Sequence, residues 1–147
     1  DLGCGIGADS LGLAAAGCGV TGVDRDPLMA AMADANLAAY GLGGRFLVGD
    51  ALTAYVGEAT AAFADPGRRP GGRRTLSVHD CEPSVPAVVG RFPRGFPLAV
   101  KVAPAVPRTE LAGFDADPEF VSLNGELKEC GLWFGPFRVG RVRAAVL

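Results

Sequence analysis

The sequence contains no run of eighteen consecutive apolar residues, so it offers no helix able to span a bilayer. Its most apolar stretch, Leu11 to Val23, is broken by four glycines and a threonine. It has a single histidine, His79, with no companion for a metal site, so a polar role near a strand end is expected for it. Its four cysteines (Cys4, Cys18, Cys81, Cys130) are widely spaced and form no Cys-x-x-Cys pair. That excludes a zinc ribbon and a disulfide scaffold, and it favours reduced thiols and a cytoplasmic setting without a bound metal. The first residues do not read as a charged-then-apolar signal segment. Lysine is scarce as well, because twelve of the fourteen basic residues are arginine.

What the chain has is enough apolar content for a core: 49% of 147 residues, one domain's worth. The charge is unevenly placed. Residues 1–66 carry eight acids and two arginines, a net of −6, whereas residues 67–147 carry eight acids and twelve bases, a net of +4. An acidic half beside a basic half fits two different ligands. The chain begins at Asp1, in what reads as the end of a strand, and stops inside the apolar run Ala-Ala-Val-Leu. It is expected to be an excerpt of one domain, residues 1–147, cut at both ends.

The pattern along the chain predicts short strands alternating with helices. Asp1 to Cys4 reads as a strand end. Asp9 and Ser10 suit a helix N-terminus, since their oxygens can accept orphan N–H groups. The helix runs on through Ala16 and Gly17 ends it. Cys18 to Val23 reads as a buried strand. Pro27 opens a second helix that Gly41 closes. Phe46 to Val48 and Ala59 to Ala64 read as strands, Thr75 to Val78 as an extended piece, Pro83 to Val89 as a short helix and Leu98 to Val102 as a strand. Asn124-Gly125, between Glu119–Leu123 and Glu126–Phe134, predicts a two-residue hairpin turn. The expected fold is α/β: a Rossmann-like, doubly wound, mostly parallel sheet ending in an antiparallel hairpin, with its first strand truncated.

The glycine loop Gly3-Cys4-Gly5-Ile6-Gly7 falls between a strand and a helix. Glycines there let the backbone turn sharply and approach a ligand. Gly3, Gly5 and Ala8 also fit the dinucleotide pattern Gly-x-Gly-x-x-Gly/Ala. Asp24 ends the second strand, where a carboxylate can accept both ribose hydroxyls of an adenosine ligand. Asp50 ends the third, where a carboxylate can accept from an adenine amino group. Asp1, Asp24 and Asp50 thus stand at the ends of three consecutive strands, the edge at which open α/β sheets bind ligands.

Asp1-Leu2-Gly3-Cys4-Gly5-Ile6-Gly7, Gly22-Val23-Asp24 and Gly49-Asp50-Ala51 resemble the cofactor motifs of class I S-adenosylmethionine-dependent methyltransferases. The leading acid and Gly7 favour this family over nicotinamide dehydrogenases. The resemblance implies that Gly3, Gly5 and Gly7 line the methionine part of S-adenosylmethionine and that Asp1 helps place its ammonium. It implies that Asp24 holds the ribose, and Asp50 with Ala51 the adenine. Ala35-Asn36 with Gly41-Leu42 is similar to the spacing in RNA-modifying members. Asp65-Pro66-Gly67-Arg68-Arg69, Asp80-Cys81-Glu82-Pro83, Val100 to Pro104 and Ser122 to Glu129 resemble bacterial methyltransferases with a C-terminal THUMP-like domain.

Asp65-Pro66 occupies the place where amino-methylating relatives carry Asp/Asn-Pro-Pro-aromatic, whose oxygens orient the target amine. Gly67 and Arg68 stand here instead of the second proline and the aromatic. Arg68, Arg69, Arg73 and Arg74 follow, and arginine forks suit phosphate, so RNA is the expected substrate. No aromatic interleaves these arginines. Lys101 ends the fifth strand and either contacts substrate or projects past the sheet. Cys81 lacks the context of a catalytic nucleophile. The alternatives that stay open are a small-molecule or protein methyl acceptor, a nicotinamide-dependent oxidoreductase and a non-catalytic binding module.

Overall fold

The computed structural model describes every residue except Arg69, Arg73 and Arg74, and of Pro70 it describes the backbone alone. The chain divides into two compact units, residues 1–59 and 60–147.

The first unit is built from α1 (Ala8–Ala15), β1 (Thr21–Asp24), α2 (Pro27–Ala39) and β2 (Arg45–Val48). β1 and β2 pair in parallel, with Asp24 opposite Val48, and Leu2 forms a single parallel bridge to Val23 on the other side of β1. Two boundaries differ from expectation. The residues 18–20 lie outside β1, which starts at Thr21 and includes Asp24. Asp9 and Ser10 do not cap α1: its N-cap is Gly7, in the left-handed region with φ 85°, and no side chain caps it. Ser10 lies inside the helix, fully buried. At α2 the reading holds. Asp26 accepts the Leu28 N–H and Pro27 occupies the first turn, where its missing donor costs nothing. α2 lies against α1, β1 and β2. Ala14, Val20 and Leu37 form a buried cluster joined by Leu11, Leu13, Leu42 and Phe46.

The second unit holds β3 (Ala62–Ala64), α3 (Val85–Gly90), β4 (Leu98–Val102), the single-turn α4 (Arg108–Leu111), β5 (Ala116–Leu123), β6 (Glu126–Phe134) and β7 (Arg143–Val146). Its sheet runs β3-β4-β6-β5-β7. β3 and β4 are parallel, β6 is antiparallel to both β4 and β5, and β7 adds in parallel along β5. The hairpin turn follows its sequence signal: Asn124 has φ 52° and Gly125 φ 79°, the two positive angles such a turn demands. β6 alternates inward and outward, burying Cys130, Leu132 and Phe134, while β4 is buried everywhere but Lys101. Three elements depart from expectation. β3 is three residues long and leaves residues 59–61 outside. Thr75 to Val78 is not a strand, because the Val78 N–H donates to Glu110 at 2.8 Å and the Ser77 N–H to Thr75 Oγ1 at 3.0 Å, donors a ladder would have needed. β7 was not foreseen; its alternating half-buried and exposed residues make a weak pattern in so short a run.

Asp117 ties the turn after β6 to the sheet. Its Oδ2 accepts the N–H groups of Val139, Gly140 and Arg141 at 2.5, 2.6 and 3.3 Å. Burial pushes this carboxyl up, but those bonds and the Arg138 side chain outweigh it and leave it below the usual carboxylate value.

Candidate cofactor and acceptor sites

The glycine loop is fixed by hydrogen bonds from three directions. The N–H groups of Gly3 and Cys4 both donate to the Val23 carbonyl, at 2.8 and 3.0 Å. The Gly5 N–H donates to Asp24 Oδ2 at 2.8 Å. Asn36 on α2 donates its Nδ2 to the Ile6 carbonyl at 2.8 Å. The loop is therefore held before any ligand arrives, the preorganisation that keeps binding from spending free energy on ordering. Gly3 and Gly5 have φ of 75° and 52°, and a Cβ built on either would meet nothing within 4 Å. Both positions leave open space beside bare backbone.

The acids surround this loop. Ser10 donates its hydroxyl to Asp1 Oδ2 at 2.6 Å, which fixes the Asp1 carboxylate. Asp24 Oδ1 accepts the Asp26 N–H at 2.9 Å while Oδ2 holds Gly5, so this one side chain links the end of β1 to both the loop and the start of α2. Asp50 accepts the Leu52 N–H through Oδ1 at 2.7 Å and pairs with Arg25 Nη2 through Oδ2 at 2.8 Å. The Arg25 side chain is 55% exposed, and an ion pair that exposed is worth at most about 1 kcal/mol, so a ligand amine can displace it. The three acids and the three glycines thus sit in one unit, as the motif spacing requires. Ser10, Arg25 and Asn36 carry contacts that no sequence pattern singled out. A serine or asparagine on a helix gives no sign of its partner until the helix is docked.

In the second unit, Asp65 follows β3 directly. Its Oδ2 lies 3.0 Å from Lys101 Nζ, and Glu129 Oε2 on β6 lies 3.6 Å from the same ammonium. The register explains the cluster: β3 runs parallel to β4, so Asp65 continues the row that ends at Lys101, and Glu129 sits one residue past the Cys130 that faces Val102. Glu129 was not among the expected site residues. Arg68 has a buried Nη1 with no hydrogen-bond partner, and its carbonyl accepts the Thr75 N–H at 2.8 Å. The neighbouring Arg69, Arg73 and Arg74 lie outside the described residues. Cys81 is buried and donates its thiol to the Ser77 carbonyl at 3.3 Å. Burial pushes that thiol up, against the thiolate a nucleophile needs. His79 is exposed and its N–H donates to Ser77 Oγ. Among the described residues no helix is long and apolar enough to cross a membrane.

Residues 1–64, which include the glycine loop, Asp24 and Asp50, match the family model described as a methyltransferase domain. Over 135 residues the chain is 33% identical to an uncharacterized S-adenosylmethionine-dependent methyltransferase of Mycobacterium tuberculosis, known from two strains. The chain is thus similar in sequence to S-adenosylmethionine-dependent methyltransferases, with the cofactor-loop unit, residues 1–64, matching a methyltransferase domain. The match covers 90% of this chain and 37% of each curated relative, so the chain spans little more than a third of their length. Solved structures agree on the fold. A putative methyltransferase of Porphyromonas gingivalis superposes with a TM-score of 0.66 at 19% identity, covering 95% of this chain and 36% of that one. A putative class I S-adenosylmethionine-dependent methyltransferase of Listeria monocytogenes gives 0.62 at 17% identity, covering all of this chain and 57% of the other.

The glycine loop fits S-adenosylmethionine, the cofactor in the curated relatives' description. S-adenosylmethionine supplies an electrophilic methyl group on a sulfonium when bound. The open space at Gly3 and Gly5 would admit it close to backbone, the Asp1 carboxylate held by Ser10 would face its ammonium, and Asp24 would accept from it at a strand end. Replacing Asp24 by alanine is expected to weaken S-adenosylmethionine binding roughly ten- to a hundredfold, from charge-assisted bonds of about 1.5–3 kcal/mol. Titration calorimetry checks this, and unchanged affinity would remove Asp24 from the site.

Proposed function

We propose that the protein transfers methyl groups from S-adenosylmethionine to RNA, with an amine nitrogen as the acceptor and Asp65-Pro66 as the acceptor-holding pair. In this reading the fold is Rossmann-like and doubly wound, and the C-terminal part of the whole protein is THUMP-like. The observation that carries the acceptor assignment is the Asp65 carboxylate at the end of β3, held at 3.0 Å by Lys101. The ion pair occupies Oδ2 and fixes the carboxylate, and the second oxygen is left to accept an N–H from the acceptor. An amine held so presents its lone pair to the methyl group, and alignment of this kind supplies about 7–11 kcal/mol of a barrier. The Pro66 carbonyl is a second acceptor at the same strand end. Lys101 here positions Asp65 rather than meeting substrate on its own.

RNA is supported by charge. The +4 half of the chain, residues 67–147, follows Asp65-Pro66 directly and contains Arg68, whose Nη1 has no hydrogen-bond partner among the described residues. Arginine forks match phosphate oxygens. Gly67 and Arg68, in place of a proline and an aromatic, supply no ring to stack on a base, so the backbone of the substrate carries more of the recognition. The cytoplasm is the compartment where such a substrate and four free thiols coexist.

The test is methyl transfer from labelled S-adenosylmethionine to purified RNA, set against metabolite and protein pools. RNA is expected to take the label. In the variant with Arg68 and Arg69 replaced by alanine, RNA affinity should fall and its salt dependence should become shallower by about one unit per lost phosphate contact. Label appearing in the metabolite or protein pool alone would replace RNA as the acceptor.

A further inference from the structure

The second unit contains a cavity of about 520 Å³ at the other end of its sheet from Asp65 and Lys101. Leu98, the first residue of β4, and Phe134, the last of β6, form its floor, and Val89, Gly95, Gly113 and Gly135 contribute to the walls. Lys101 lies three residues along β4, about 10 Å at strand rise, so the cavity is separate from the acceptor site.

Its lining is aromatic. Phe92 and Phe96 stack with centroids 4.5 Å apart and planes 9° apart, and Phe114 meets Phe134 edge to face at 6.1 Å. Phe92, Phe96 and Phe114 are all left half-buried. The polar groups at the rim are unequal. Arg138 is neutralised by Asp115 and Asp117. Arg94 lines the same cavity, is exposed, and has no ion pair or hydrogen bond among the described residues. Arg91 sits over the Phe92 ring, 5.5 Å from its centroid. Arg94 is thus a basic side chain lining the cavity that no described acid engages, beside flat apolar faces, whereas Asp115 on the same lining is held by Arg138.

We infer that this cavity is a second ligand site, which takes a planar aromatic ring bearing one anionic group. The ring lies against the Phe92–Phe96 and Phe114 faces, and the anion meets the Arg94 guanidinium. Its volume is within the range of about 300–1,000 Å³ that small-ligand sites occupy, enough for a one- or two-ring compound. The ring gains from apolar burial and from the preference of aromatic groups for stacked and edge-on contacts. A carboxylate facing arginine gains a charge-assisted hydrogen bond that a neutral group lacks. This site is independent of the acceptor proposed above, since it uses none of the same residues.

The test uses 1-naphthoate as the probe on the full chain, followed by titration calorimetry and by backbone amide shifts. Saturable one-to-one binding is expected, with shifts concentrated at Gly95, Gly113 and Gly135. Neutral 1-naphthalenemethanol should bind about tenfold more weakly, and Arg94→Gln should bring naphthoate down by a similar factor. Val89→Phe, which fills the cavity from its rim, should abolish binding while leaving S-adenosylmethionine affinity unchanged. Absence of saturable binding, shifts confined to other residues, or equal affinity for acid and alcohol would each overturn the assignment. Should Val89→Phe fail to fold, the amide shifts and Arg94→Gln decide the matter alone.

Discussion

Replacing Asp65 by alanine is expected to lower kcat by about 10²-fold, the cost of losing alignment of a reacting group. The affinity for S-adenosylmethionine should stay nearly unchanged, because every cofactor motif lies within residues 1–51. That split marks an interaction made in the transition state rather than in the ground state. The ion pair with Lys101 makes the variant informative in a second way. Asp65→Ala takes the nearer carboxylate from Lys101 and leaves Glu129 3.6 Å from its ammonium. Asp65→Asn keeps an acceptor oxygen but loses the charge that holds Lys101. If orientation of the amine is what matters, the asparagine variant recovers much of the rate. If the ion pair is what matters, both variants fall alike. Single-turnover kinetics with the acceptor that takes the label, beside calorimetry with S-adenosylmethionine, separates these results. Full turnover by Asp65→Ala would reduce Asp65 to a turn residue.

The candidate cofactor loop was legible as a strand–glycine–helix unit because its signals are local. A strand end, glycines at fixed offsets and an acid at the end of the next strand are all read along one short stretch of chain. The structure adds what makes them a unit. Asp24 reaches back to the Gly5 N–H, nineteen residues away, and Asn36 reaches the Ile6 carbonyl across thirty. Those distances in sequence hide the partners. The same holds for Glu129, which is brought to Lys101 only by the register of β6 on β4. An acid in a hairpin otherwise reads as an ordinary exposed residue.

Fold elements were legible where turn chemistry or a cap announced them. Asn124-Gly125 marks the hairpin, and Pro27 marks the start of α2. Where a side chain from elsewhere competes, local reading fails. Thr75 and Glu110 take the Ser77 and Val78 N–H groups out of strand pairing, and Ser10 turns inward to Asp1 instead of capping α1. The hairpin was expected to close the sheet. β7 goes beyond it along β5, a pairing set by tertiary contacts that four residues of sequence do not specify.

Gly7 provides the sharpest stability test, because two costs coincide at one atom. Its φ of 85° lies in the left-handed region, where an L side chain costs about 1–2 kcal/mol. A Cβ there would also sit 2.9 Å from both Cα and Cβ of Ala33 on α2. Ala33 is fully buried and its backbone is part of a helix, so it has little freedom to withdraw. Overpacking of this kind costs about 1–3 kcal/mol. Gly7→Ala is therefore expected to destabilise the fold by roughly 2–5 kcal/mol, read by denaturant unfolding. Gly3 is the control. Its φ of 75° carries a similar backbone strain, but a Cβ there meets nothing within 4 Å, so Gly3→Ala should cost only about 1–2 kcal/mol. The added methyl would instead enter the open space beside the loop, and S-adenosylmethionine affinity should suffer more than stability does. Equal destabilisation by the two variants would mean that Gly7 does not seat α1 against α2 and that backbone strain alone accounts for both glycines.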